Sequence, residues 1–407
     1  MFQNASPITS LPTCLLQTET CRRTGTPTGI HTGWLVKRGE RRYNATRCIR
    51  VVSPFPTSSR KARRLTVMHH TWTENLRFRS GLLRNIRQFF YDRNFFEVQT
   101  PVLSADTIVD CYLEPLTVSE KSLPLNHHNE RKYYLQTSPE FAMKRLLAAG
   151  LDPIFQITPV FRAGDRGRFH NVEFTMLEWY RIGDNYQTGM FLLAELVRYL
   201  LATLPLEIMS IGLMPLEIME GGKVSEIGYH TYRDLFESEV GVNPHTATVE
   251  ELQSVCDARK IPYPESNWAN FVDDWLDLLF ASVVQPTLES AIVYDFPESQ
   301  AHLAKIRQEK DYAVSERFEL FLKGQEIASG YHEIQNAAEL RRRFQVNRDR
   351  RAAAKQSWLP INSRFLSIMD LGFPQCSGTA LGIDRLLMVM LDAETIEDVL
   401  TFPIETA

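Results

Sequence analysis

The chain has 407 residues, 44% hydrophobic and 23% charged, enough for one large domain or two ordinary ones with a buried core. That balance excludes wholly disordered, collagen-like and small disulfide-scaffold classes. Residues 1–67 hold 12 Lys and Arg against 2 Asp and Glu, but residues 68–407 hold 33 against 47, too acidic for a general nucleic-acid binder.

Residues 1–67 carry 11 Thr, 5 Ser and 5 Pro with little periodicity. They read as a disordered basic N-terminal extension, or as a mis-assigned start with Met68 the true one. From Thr73, an N-cap residue, Leu76, Leu83, Ile86 and Phe90 recur at helical spacing to about Arg93. Asn94 ends that helix, and 95–103 reads as extended, with Pro101 near a strand end. A short strand at 133–136 precedes Ser138-Pro139-Glu140, which predicts a helix start: Ser at the cap, Pro first, an acid in the first turn. Segments 154–162 and 172–180 form a hairpin around a polar loop at 163–171. Helices are expected near 187–203, 230–240, 248–259 and 269–284.

Between the first two, Pro205-Leu-Glu-Ile-Met209 is echoed by Pro215-Leu-Glu-Ile-Met219, a local duplication in a surface insertion around 205–228. Arg198, Glu207 and Glu217 interrupt this most apolar region, so no membrane span is expected. Strands at 291–296, 317–323 and 326–332 follow, then a charged helix at 337–354. After Gly378 a strand leads into a helix near Asp384-Arg385. Hairpins among helices, without regular β-α-β alternation, define an α+β domain over 68–407, an antiparallel sheet flanked by helices. Six cysteines without CxxC spacing point to free thiols in a reducing, cytoplasmic compartment.

Several side chains are chemical candidates. Arg162 ends a strand, and Arg166, Arg168 and His170 follow in the loop. Guanidinium groups there can clamp phosphate oxygens in pairs; a solvated loop is the other reading. Glu319 and Glu326 are seven apart across the Lys323-Gly324 turn. Either their carboxylates converge on a cation, for which Mg²⁺ with nucleotide phosphates is suited, or they are exposed acids on one face. The run Gly378-Thr-Ala-Leu-Gly382-Ile-Asp384-Arg385 offers small residues and a helix start to an anionic ligand. Glu140, Glu178 and Glu333 are acids within apolar segments, held by structural salt bridges or awaiting a cationic ligand.

These segments resemble the three signature motifs of class II aminoacyl-tRNA synthetases. Phe95-Phe-Glu-Val-Gln-Thr-Pro101 is similar to motif 1. Val160-Phe-Arg162 through Phe169-His-Asn-Val-Glu-Phe174-Thr-Met-Leu-Glu178-Trp-Tyr180 is similar to motif 2, and Gly378 to Arg385 to motif 3. Thr137-Ser-Pro-Glu140 and His170-Asn-Val-Glu-Phe174 resemble the lysyl subgroup, and the likeness spans 73–407. Lysyl-tRNA synthetases carry an anticodon-binding OB-fold before motif 1, for which the preceding residues show no pattern. In that, and in Trp179 and Ala380, the chain resembles the elongation factor P lysine ligases, synthetase cores that modify a protein instead of a tRNA.

The resemblance implies roles. Arg162 would hold the ATP α-phosphate and stabilise charge during attack, and Arg385 would bind the γ-phosphate and stack on adenine opposite Phe174. His170 and Asn171 would contact the nucleotide, with Ala163, Gly164, Asp165, Ile327 and Gly382 completing its pocket. Glu319 and Glu326 would hold Mg²⁺. Ser138, Pro139, Glu140, Glu178, Tyr180, Ser329, Tyr331, Glu333 and Ala380 would surround a lysine-type substrate, the acids taking its ammonium groups. Two departures stand out. Arg162-Ala163-Gly164 lacks the acid of the usual Arg-x-Glu, leaving Asp165 as a replacement, and Ser329 replaces a longer Asn. The implied activity is ATP-dependent activation of lysine or (R)-β-lysine as an adenylate, then transfer to a lysine of elongation factor P. The implied assembly is a cytoplasmic homodimer through motif 1, with neither tRNA nor a membrane as partner. Its rivals are a tRNA-charging enzyme without an anticodon domain and a non-catalytic regulator on the same core.

Overall fold

The first patterned segment folds as helix α1, Arg60–Tyr91. It starts earlier than expected: Thr73 lies inside it, because 60–72 contains neither Gly nor Pro to stop the helix. Phe78, Leu82, Ile86, Phe89 and Phe90 are buried along one stripe, and Asn94, at φ 61°, turns the chain out of it. The structure is a computed structural model that describes residues 60–119, 132–209, 226–264 and 271–407. Most of the expected extension and the second copy of the five-residue echo lie outside those residues.

Short strands β1 (Phe96–Glu97), β2 (Leu103–Ser104), β3 (Thr117–Val118) and β4 (Tyr133–Leu135) come next, then α2 (Glu140–Ala148). Helix α2 begins one residue later than the sequence indicated. Pro139 occupies the cap, and the Ser138 hydroxyl accepts the Glu140 N–H at 3.0 Å. The long hairpin is β5 (Ile154–Phe161) and β6 (Glu173–Ile182), followed by α3 (Tyr186–Met209). Helix α3 runs through Pro205, so the first copy of the echo is helical and not part of a loop insertion. The helix expected at 230–240 is divided into β7 (Gly228–Thr231) and α4 (Tyr232–Glu239), where the Thr231 hydroxyl caps the Asp234 N–H.

Helices α5 (Val249–Arg259) and α6 (Val272–Leu279) lead to β8 (Ser290–Pro297) and β9 (Ile306–Gln308). Strands β10 (Ala313–Leu322) and β11 (Gln325–His332) form the second hairpin, followed by α7 (Ala337–Ala353) and α8 (Arg364–Met369). Strand β12 (Cys376–Gly382) runs directly into α9 (Ile383–Leu391).

Among the described residues the main sheet has the order β1-β5-β6-β12-β11-β10-β8-β7, with β9 beside β10. Its centre is antiparallel as expected; the edge pairs β1–β5 and β7–β8 are parallel, which makes it mixed. Strands β2, β4 and β3 form a small separate sheet. Alternation along the strands separates the two faces of the main sheet. Leu177, Leu381, Ala328 and Leu320 pack against α1, α3 and α9 in one core. The residues between them point the other way, where the functional residues gather.

Candidate active site

The pairing register builds the site. Glu178 on β6 lies opposite Ala380 on β12, Ala380 opposite Ser329 on β11, and Ser329 opposite Glu319 on β10. Two residues along, Tyr180, Gly378, Tyr331 and Arg317 form a parallel row. Both rows line a cavity of about 700 Å³, joined by Ser138, Glu140, Arg162, Glu326 and Glu333. At Gly378 a Cβ would collide with the Tyr180 ring and the Glu333 carboxylate, so only glycine lets these strands and side chains meet.

At one end lie three buried acids. Glu178, 2% exposed, accepts hydrogen bonds from the Ser138 hydroxyl at 2.7 Å and the Tyr180 hydroxyl at 2.6 Å. Burial, and then the nearby charge of Glu140, push Glu178 up to about 7. Burial likewise pushes Glu333 up to about 8, against the pull of Lys144. The sequence left two readings for these acids, and the structure divides them. Glu140 and Glu333 are both ion-paired to Lys144, a buried residue that the sequence analysis missed, although its position four after Glu140 on a helix was a usable signal. Among the described residues Glu178 is hydrogen-bonded by hydroxyl groups and is not ion-paired, the arrangement expected of the second reading.

At the other end a pocket of about 90 Å³ shares Arg162, Met176, Glu326, Ser329 and Ala380 with the larger cavity. Asp165, His170, Asn171, Phe174, Ile327, Gly382 and Arg385 are among its other lining residues. Arg385 donates to the Glu326 carbonyl at 3.0 Å and lies 2.7 Å from His170 Nε2. Burial, reinforced by Arg385, holds His170 below its ordinary pKa. The Arg162 guanidinium sits 5.1 Å from the Phe174 ring centroid. One buried polar atom here, Arg162 Nε, has no hydrogen-bond partner among the described residues. Buried polar groups are rarely left this way, so its position where the two cavities meet fits a ligand that satisfies it.

Pro139, Ala163 and Gly164 line neither cavity; Gly164 serves the turn, at φ 84°. The Asn171 amide is spent partly on the start of β6, donating to the Glu173 carbonyl at 2.6 Å. Another unforeseen link holds the α9 start: Arg79 of α1 bonds the buried Asp384 at 2.5 Å, and Asp384 accepts the Thr175 N–H at 2.6 Å. The residue before Arg385 is thereby tied to both α1 and β6.

Glu319 and Glu326 both line the larger cavity, although the register sets Glu319 opposite Ser329 and Glu326 opposite Phe321. Glu319 is buried and ion-paired with Arg317, and burial pushes it up to about 7, opposed by Arg317 and aided by Glu326. Among the described residues no group of three or more His, Cys, Asp or Glu could hold a metal alone. Two hard carboxylate ligands fit Mg²⁺ when nucleotide phosphates supply the remaining oxygens, which is how that ion is usually held.

The motifs, the central antiparallel sheet and the two joined cavities define a class II synthetase core. The family model for class II tRNA synthetases (D, K and N) matches residues 56–406, and the chain belongs to that family. Within it, the chain is 39% identical over 338 residues to the elongation factor P–(R)-β-lysine ligase of Haemophilus influenzae strain PittGG, covering 82% of this chain and 96% of that protein. Proteins of the same name from Pseudoalteromonas translucida and Sodalis glossinidius are 37% identical over 335 and 345 residues, with the same coverage. No described helix is long and apolar enough to cross a membrane.

Proposed function

We propose that this protein is an ATP-dependent ligase that activates (R)-β-lysine, or a close lysine isomer, and transfers it to a lysine side chain of elongation factor P. The observation that carries this reading is an acid-walled pocket and an arginine-lined pocket meeting across neighbouring strands, in a chain similar along its patterned length to ligases of that name.

In the first step a substrate carboxylate oxygen attacks the ATP α-phosphorus, forming an aminoacyl-adenylate and releasing pyrophosphate. No protein base is needed, because the nucleophile is already ionised. Glu178, hydroxyl-bonded by Ser138 and Tyr180, would receive a substrate ammonium, with Glu140 and Glu333 beside it. Arg162, between the two pockets, would meet charge building on the α-phosphate, and Arg385, held by Glu326 and His170, would meet the outer phosphates. Phe174 would stack on the adenine, and Asp165 would take the place of the missing motif 2 acid. Mg²⁺ held by Glu319 and Glu326 would neutralise phosphate charge. In the second step the acceptor ε-amine attacks the acyl carbon, AMP leaves, and an amide remains. A homodimer built through motif 1 belongs to the same reading.

The test is the intact mass of elongation factor P after incubation with this protein, ATP and each lysine isomer. A mass gain of one lysyl residue with (R)-β-lysine is expected. Efficient charging of total tRNA with an unmodified factor would overturn the proposal, as would absence of pyrophosphate exchange with α-lysine and both β-lysine enantiomers.

A further inference from the structure

Lys144 is a positively charged residue buried beside a pocket assigned to positively charged groups. It is 1% exposed and does not line the cavity, whereas Glu140 and Glu333, its two partners, do. Its ammonium bonds Glu333 at 2.5 Å and also bonds Glu140. The Tyr180 and Phe365 rings lie 5.7 and 5.5 Å from it, so aromatic faces cover what the carboxylates leave open. Burial pulls the lysine pKa down, but the two carboxylates outweigh it and hold Lys144 above its ordinary value. The lysine is therefore charged beside its two carboxylates.

The charges can be counted. Three carboxylates, Glu140, Glu178 and Glu333, cluster at this end of the cavity, and one ammonium stands behind two of them; Glu319 and Glu326, at the other end, are met by Arg317 and Arg385. Fully ionised, the cluster is two positive charges short of neutrality. We propose that Lys144 is the resident counter-cation of this pocket. It neutralises one of the three acids, aims Glu140 and Glu333, and so sets the site to receive two ammonium groups, not one or three. Lys144 is then a positioning residue that defines the substrate class by charge number. This inference rests on the proposed function, in which the substrate carries two amines.

The demand for two charges can be read on the unaltered protein, with 1,5-diaminopentane and 1-aminopentane competing against lysine in pyrophosphate exchange. The diamine is expected to inhibit at least tenfold more tightly; equal inhibition overturns the inference. The role of Lys144 is read from Lys144→Met, Glu333→Gln and the double variant. Each single change miscounts the charge and is expected to raise the lysine KM at least tenfold. The double change restores the count of two, so its KM should fall below that of either single variant, with the ATP KM unchanged throughout. A double variant no better than the worse single one would make Lys144 a structural tie and nothing more. Should Lys144→Met not fold, Lys144→Arg keeps the charge and should keep the diamine preference; its loss overturns the inference. Absence of any lysine-dependent exchange in the unaltered protein would instead sink the functional reading, and this inference with it.

Discussion

Replacing Glu178 by Gln removes one charge from the amine pocket and leaves its shape. Burial places Glu178 near 7 in the fold, against an ordinary value of 4.5. The folded state therefore holds this proton more tightly than the unfolded chain does, and stability falls as pH rises from 4.5 through 7. The gap corresponds to roughly 3 kcal/mol lost above pH 7, spread over a cluster that includes Glu140 and Lys144. At pH 5 Glu178 is mostly neutral in the fold, so Glu178→Gln should melt close to the parent. At pH 8 the variant should be more stable by about 1–3 kcal/mol, a rise of a few degrees. Function should move the other way: a charged hydrogen bond in a desolvated site is worth roughly 1.5–3 kcal/mol, so lysine-dependent pyrophosphate exchange should fall about ten- to hundredfold. The ATP KM should hold, since Glu178 does not line the nucleotide pocket. The assays are melting at the two pH values and exchange kinetics with each substrate varied. A variant that melts lower at pH 8, with equal losses toward ATP and lysine, would mean that Glu178 is a structural ion-pair partner, and the pocket assignment would fall.

Glu326→Gln should leave melting unchanged and weaken adenylate formation, because it removes one of two carboxylates proposed for Mg²⁺ and a partner of Arg385 at 3.4 Å; unaltered exchange would make the pair surface charges. Gly378→Ala puts a methyl group into the Tyr180 ring and the Glu333 carboxylate, and should cost about 1–3 kcal/mol while raising the lysine KM; an unshifted melting curve would contradict that packing. A chain beginning at Met68 keeps the Trp72 and Asn75 bonds to the Leu400 and Asp398 carbonyls, at 3.1 and 2.9 Å. It should match the longer chain in ligation and lie within about 1 kcal/mol in stability; a larger loss would show that earlier residues pack on the body.

The sequence by itself determined what short-range rules can carry. Extended segments around polar or Gly-bearing turns marked β5, β6, β10 and β11, a cap and an acid marked the start of α2, and breakers such as Asn94 marked an end. Motif spelling carried the family, because a ligand-bound site constrains residue types at fixed spacing. Where a cap signal competed with a continuing helix, the local reading failed: Thr73 and Pro205 both lie inside helices, because neither a cap residue nor a proline ends a helix when its neighbours continue the pattern. The tertiary structure alone decided which charges meet. Arg79 reaches Asp384 across 305 residues, and Lys144 reaches Glu333 across 189. Nothing in the local pattern records such partners, since a buried charge is stabilised by whatever the fold brings within hydrogen-bond reach. That is also why three acids, alike in sequence, became two partners of one lysine and one carboxylate bonded by hydroxyl groups.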